Sequence, residues 1–255
     1  MTYMELSLIN KLNQLDQDFY QQITTSFDQT RQYSWQGWTR LLPNLEPMRQ
    51  PISVLDLGCG NARFANFLDE NDIQFSYHGV DSSQSLLDKA SHNLKQQHLE
   101  HKLNQLDIVQ ALLDGSLSTI LDKKYDLIVA FGLFHHLPSF KLRKKFIEDI
   151  GGMLADKQSL AVVTAWQFAA DKRFEEKFID PSKINLSADQ LEENDFILGW
   201  QNHPNAFRYC HFVDESEIKK ITAELKKITL LESFFSDGKS EKLNKYLIFK
   251  RELKQ

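Results

Sequence analysis

The chain has 255 residues, 42% apolar and 25% charged, which suits one α/β domain with additions and supplies ample material for a core. A formal net charge of −5 weighs against a protein that coats a nucleic-acid backbone, and no apolar run approaches the ~20 residues of a membrane span. Two cysteines, Cys59 and Cys210, give neither a disulfide framework nor a zinc-type spacing, so no metal is expected and Cys210 reads as inert.

Residues 4–27 place Leu8, Leu12, Leu15, Phe19, Ile23 and Phe27 at mixed helical spacing, which predicts helices ahead of the main domain. The same stretch has no basic start followed by an apolar run, so no secretory signal is expected and a cytoplasmic protein without membrane contact is the default. Residues 31–51, rich in Trp, Pro and Arg, read as a connecting segment that completes an N-terminal cap over 1–50.

From 52 onward strand and helix signals alternate. Strands are predicted at Ile52–Leu57, Phe75–Val80, Lys102–Leu106, Tyr125–Phe131 and Leu160–Ala165. The helices between them run through Arg63–Leu68, Gln84–Gln97 and Val109–Leu121, then a span burying Phe146, Ile147, Ile150, Met153 and Leu154. Lys141, Arg143, Lys144 and Lys145 on that last helix read as a solvated face. Residues 167–213 are polar with isolated aromatics and break the rhythm, as a lid-like insertion would. A helix over Asp214–Lys227 and two strands, Ile228–Phe235 and Tyr246–Phe249, close the main domain over 51–255. Alternation of this kind implies a Rossmann-like, mostly parallel sheet covered on both faces, with its ligand at the carboxyl ends of the strands.

The segment VLDLGCGNARF, Val54–Phe64, joins a strand end, an acidic residue and two glycines to a helix start. Gly58 and Gly60 allow a sharp turn and close approach to a ligand, and Asp56 suits a cationic amine better than a pyrophosphate. A dinucleotide fingerprint requires a third glycine where Arg63 stands. Asp81 follows 25 residues after Asp56, at the next strand end, where a carboxylate takes ribose hydroxyls or, with Ser82 and Ser83, caps a helix. Asp107 is placed to accept from an adenine amino group, with Ile108 against the ring, or to cap the following helix.

This order of motifs over Ile52–Trp166 resembles the class I S-adenosylmethionine-dependent methyltransferases. The resemblance implies a seven-stranded sheet with an antiparallel last strand, methyl transfer from S-adenosylmethionine, and cofactor contacts from Asp56, Gly58, Gly60, Asp81, Ser82, Asp107, Ile108 and Phe131. Further segments are similar to the tRNA wobble-uridine carboxymethyl methyltransferases. Tyr20, Phe27, Thr30, Arg31 and Trp35 match a Y-x-x-I-A-x-x-F-x-x-T-R-x-x-x-W pattern; His135-His136, Trp166 and a late run with Trp200, Arg208, Tyr209 and His211 match others. Ala62 departs from the usual G-C-G-N-G, and alanine is favourable in a first helical turn.

That likeness implies a tRNA substrate and an uncharged-product esterification needing no strong general base. Arg31, His135 and Arg208 become candidate catalytic residues, and Tyr20, Trp35, Arg63, His136, Trp166 and Tyr209 candidate substrate contacts. Arg31 fits the cofactor's carboxylate as well as the substrate's, and His135-His136 fit a turn cap as well as substrate. Two other readings stay open: a small-molecule carboxyl or O-methyltransferase, which the acidic charge favours, and a cofactor-binding partner that activates another protein.

Overall fold

The computed structural model describes residues 4–29, 33–200 and 203–252. A long helix, α1 (Leu6–Gln29), opens the chain; a 3-10 turn (Gln36–Leu41) and a short helix, α2 (Leu42–Leu45), occupy the predicted connecting segment. Then follow β1 (Ile52–Leu57), α3 (Arg63–Glu70), β2 (Phe75–Asp81), α4 (Gln84–Gln96) and β3 (His101–Gln105). The helix expected over 109–121 is two, α5 (Ile108–Leu113) and α6 (Leu117–Ile120), because the Asp114 carboxylate turns back to accept from the Ser116 N–H at 2.8 Å. Next come β4 (Leu127–Ala130), α7 (Phe140–Met153) and β5 (Leu160–Trp166).

Seven strands form one sheet in the order β3-β2-β1-β4-β5-β10-β9, completed by β9 (Ile228–Ser236) and β10 (Asn244–Arg251). Neighbours among β1–β5 pair in parallel, and β10 runs antiparallel to both β5 and β9, as the sequence implied. Alternation along the strands sorts the core into two layers. Leu55, Leu57, Ile128, Ala130 and Val163 face one layer, with α5 and α7; Val54, Leu127, Val129, Val162 and Ile248 face the other, with α3 and α4. Strand order reverses between β1 and β4, which leaves a crevice at their carboxyl ends.

The segment 167–213 is more ordered than its polar composition suggested. Beyond several 3-10 turns it holds β6 (Phe178–Ile179), β7 (Asp195–Trp200) and β8 (His203–His211), an antiparallel three-stranded sheet. Phe19 and Ile23 of α1 pack on Ala206 of β8, so the N-terminal helix and the insertion roof the crevice together.

A buried ionic cluster ties the insertion to the main sheet. Arg143 was expected on a solvated face but is fully buried, donating to Glu217 at 2.6 Å and to Glu192 at 2.9 Å. Glu217 lies on the last helix, α8 (Glu215–Ala223), and also meets His211 Nε2 at 2.7 Å, while His211 Nδ1 meets Asp195 at 2.6 Å. Burial opposes charge on His211, but these two carboxylates raise its pKa above the ordinary histidine value. Lys144 and Lys145 do stay at the surface, in ion pairs with Glu148, Glu224 and Asp149. Among the described residues no helix is long and apolar enough to cross a membrane.

Candidate functional site

The crevice is a cavity of about 600 Å³ that runs from the ends of β1, β2 and β4 to the roof formed by α1 and β8. At one end the chain leaves β1 through Gly58 (φ +76°) and Gly60 (φ +56°), both in the left-handed region that a glycine enters without strain. A Cβ on Gly58 would come within 3.3 Å of Leu133, whereas the space beside Gly60 is open. The N–H groups of Gly58 and Cys59 both donate to the Val80 carbonyl, at 2.8 and 3.0 Å, which locks the turn onto β2. Ala62 is not in the first helical turn, as expected, but is the residue before it, at φ 63° and ψ 33°.

Two buried carboxylates frame this end. Asp56 accepts the Tyr77 hydroxyl at 2.7 Å; burial first, with Asp81 nearby, pushes its pKa up to about 7. Asp81 accepts from Gly60 N–H and Ser83 N–H, both at 2.9 Å, and burial raises its pKa too. Helix α4 is capped by Ser83, whose hydroxyl accepts from Leu86 N–H, so Asp81 itself is not the cap. Asp107 does cap α5, accepting from Gln110 N–H at 3.0 Å, and its other oxygen takes the amides of Asn13 and Gln17 at 2.7 and 2.6 Å. Asp107, Ile108 and Ser82 nonetheless all line the cavity.

Aromatic rings fill the middle. Phe131 lies 4.9 Å from Phe64, 5.3 Å from Trp38 and 6.0 Å from Trp35, centroid to centroid. Arg63 donates to the Tyr33 carbonyl at 2.9 Å and lies 5.8 Å from the Trp35 ring.

At the far end Arg208 sits in an aromatic box. Its guanidinium carbon is 4.8 Å from the Trp166 ring centre, 4.9 Å from Phe19 and 5.7 Å from Trp200. Arg208 is only 5% exposed, and its Nε has no hydrogen-bond partner among the described residues. Lys177 lines the same end; burial and then the Arg208 cation push its pKa down. His135 stacks toward Trp166 at 5.3 Å and lies 4.1 Å from the ring of His136. His136 bonds the Tyr20 hydroxyl at 2.8 Å.

Fifteen sequence-assigned residues therefore meet in one cavity: the eight at the cofactor end, and Tyr20, Trp35, Arg63, His135, His136, Trp166 and Arg208. Tyr209 does not. It is fully buried and points its hydroxyl at Asp195, 2.6 Å away, because alternation along β8 turns it from the face that Arg208 presents. Thr30 and Arg31 lie outside the described residues, as do the side chains of 24–29. Asn13, Asp16 and Gln17 also line the cavity and were missed; with Tyr20 they recur at i, i+3, i+4 and i+7, a polar helical stripe legible in the sequence.

The chain also brings together donor sets that sequence spacing did not reveal, His135/His136/Cys210 and Glu192/Asp195/His211, each with ligand atoms within 4.8 Å. Cys210 accordingly lies beside a histidine, its sulfur 4.0 Å from His136 Nδ1. In both sets the central histidine has its two ring nitrogens engaged by hydrogen bonds.

The family described as methyltransferase domain matches residues 27–225. No curated protein matches the sequence. Among solved structures, an S-adenosylmethionine-dependent methyltransferase from Clostridium acetobutylicum is similar at a TM-score of 0.61 and 16% identity, over 91% of this chain and 98% of that one. The N-methyltransferase NodS from Bradyrhizobium japonicum, in complex with S-adenosyl-L-homocysteine, is similar at 0.55 and 16%, over 95% and 98%. SAM-bound CalS10, an amino pentose methyltransferase from Micromonospora echinaspora, is similar at 0.54 and 14%, over 90% and 97%.

Proposed function

The chain belongs to the methyltransferase-domain family, and from that membership we propose that it esterifies the carboxylate of a carboxymethylated wobble uridine in tRNA, in the cytoplasm. It is an enzyme, with S-adenosylmethionine as its methyl donor. The strand-end cradle fits that cofactor. Asp56 suits the ammonium, Asp81 the ribose hydroxyls, and Asp107 with Ile108 the adenine; Ser82 and Phe131 complete the wall. The open space beside Gly60 admits the ligand against bare backbone. When bound, S-adenosylmethionine supplies a sulfonium methyl, which a carboxylate oxygen takes as the C–S bond breaks and its electron pair returns to sulfur.

Arg208 carries the substrate half of the reading. A buried guanidinium whose Nε has no partner among the described residues, near the Lys177 cation and with the Asp16 carboxylate as its counter-charge, suits an anionic ligand. Trp166 and Trp200 around it offer flat walls to a uracil ring. A carboxylic acid of pKa ~4 is ionised at neutral pH, so the residues here bind and orient rather than remove a proton. Excluding water from the nucleophile is the remaining task, and the aromatic middle of the cavity serves it.

A second reading, a small-molecule acid as substrate, is favoured by the net charge of −5. A labelled-methyl assay on bulk tRNA lacking the modification separates them. Base-labile label on a wobble uridine is expected; no incorporation while the cofactor binds would overturn the tRNA reading. Arg208→Ala should lower kcat/KM by roughly 10- to 100-fold while sparing cofactor affinity, which Asp81→Ala should weaken. Equal loss of cofactor affinity in both variants would sink this division of roles.

A further inference from the structure

Asp107, at the cofactor end of the cavity, is held from two sides. Its Oδ1 caps α5, accepting the Gln110 N–H at 3.0 Å. From α1, 94 and 90 residues earlier in the chain, Asn13 Nδ2 and Gln17 Nε2 both donate to Oδ2, at 2.7 and 2.6 Å. Asn10 extends the row, its side-chain oxygen accepting the Gln110 amide at 2.8 Å. Asn10, Asn13 and Gln17 stand at i, i+3 and i+7, on one face of the helix. Asn13, Gln17 and Asp107 all line the cavity.

The direction of these bonds is set by chemistry: a carboxylate oxygen only accepts, so the amide nitrogens face it. A carboxylate offers about four lone-pair sites, shared equally between its oxygens. The two α1 amides fill those on Oδ2, and the cap fills one on Oδ1. The remaining acceptor site is on Oδ1, so the group meets a ligand with a single oxygen in a fixed plane. Without the amides only the Gln110 N–H would orient it, and a turn about the Cβ–Cγ bond would exchange the two oxygens. Helix α1 does not need these bonds for its place. Phe19 and Ile23 pack on Ala206 of β8, and Lys11 donates to the Asn185 carbonyl at 2.9 Å. Two cavity-lining amides are thus committed to one carboxylate on a helix that other contacts already dock.

We propose that Asn13 and Gln17 are positioning residues for the cofactor's base: they present Oδ1 of Asp107 to the 6-amino group of adenine, and so make α1 part of the enzyme's selection of S-adenosylmethionine. The inference rests on the assignment of Asp107 to adenine above. An amino group at that position donates to Oδ1 in a charge-assisted bond. A 6-oxo group would set two acceptors against each other, and a bare hydrogen would leave the last site on the carboxylate unfilled.

The test is calorimetric binding to the full chain of S-adenosylhomocysteine and of its 6-deamino analogue, which carries hydrogen in place of the amino group. The parent protein should prefer the amino form roughly tenfold. Asn13→Ala and Gln17→Ala together should cut that preference to about threefold or less, chiefly by weakening S-adenosylhomocysteine, and Gln17→Ala alone should cut it by a smaller factor. A helix that merely covers the site would weaken both ligands alike, so an unchanged ratio in the double variant would overturn the role of α1. Asp107→Ala should bring the ratio close to unity. A preference that survives in Asp107→Ala, or a parent protein that binds both ligands equally, would overturn the assignment of Asp107 to adenine and the inference with it. A preference lost in Asp107→Ala but intact in the double variant would overturn the role of α1 alone.

Discussion

Ala62 holds a left-handed backbone directly ahead of α3, with its methyl fully buried. For an L-residue that conformation costs about 1–2 kcal/mol, against about 0.8 kcal/mol for burying one methyl. Ala62→Gly relieves that strain but loses the methyl and adds about 0.4–1 kcal/mol of unfolded-chain entropy, so the stability read from the urea midpoint should stay within about 0.5 kcal/mol of the parent's; a clear fall would show that the left-handed backbone costs this alanine little. Asp56 makes a second prediction at this scale. Its pKa is raised to about 7, chiefly by burial, and an ammonium placed beside it would lower that value. Binding then releases a proton, so cofactor affinity should be level above pH 7 and fall as pH drops below it. Calorimetry in buffers of different ionisation enthalpy measures that proton, and none released would remove Asp56 from the ammonium site. Glycine positions were legible in the sequence here because spacing exposes them. The left-handed Ala62 was not, since nothing in the residue type announces its backbone.

The elements that roof the cavity depend on the cluster of Arg143, Glu192, Asp195, His211 and Glu217. Removing one member strands a buried charge, so Glu217→Leu should cost about 3 kcal/mol in urea denaturation. The same cluster sets a pH dependence. Because the folded pKa of His211 is raised, its contribution is complete below the unfolded value near 6.5 and is lost as pH rises through the folded value. Denaturation of the parent protein and His211→Gln at several pH values should converge on the alkaline side; a constant gap would show that the ring acts by packing alone. The order of strands and helices was readable from periodicity, and β1, β2 and β5 fall within a residue of expectation. The insertion was not, because short strands interleaved with 3-10 turns leave no sustained alternation. Arg143 was misread for a related reason. A charge run marks a helix face, but the Glu192 and Glu217 partners that bury one member lie 49 and 74 residues away.

At the scale of the molecule the main sheet, α1 and the small sheet enclose one cavity, and a ligand in it touches all three. S-adenosylhomocysteine at 100 times its dissociation constant should raise stability by about 2.7 kcal/mol, and Asp81→Ala should reduce the accompanying thermal shift. The cofactor end was legible because its residues recur at successive strand ends, whereas the far end, assembled from α1, the turn after β4, β5 and β8, came only from the resemblance, which missed Asn13, Asp16 and Gln17. One helix, moreover, touches both ends: Asn13 and Gln17 at Asp107, Asp16 and Tyr20 at His136. The two pairs interleave within about 10 Å of helix rise from Asn13 to Tyr20, so an adjustment of α1 at one contact is felt at the other. The two ligands thus share a thermodynamic account through α1. S-adenosylhomocysteine should tighten nucleoside binding, and the nucleoside should tighten S-adenosylhomocysteine by the same factor. Substituting Asn13 and Gln17 by alanine should shrink that factor toward one while leaving the distant subsite chemically intact, making α1 the beam of a balance rather than a cover.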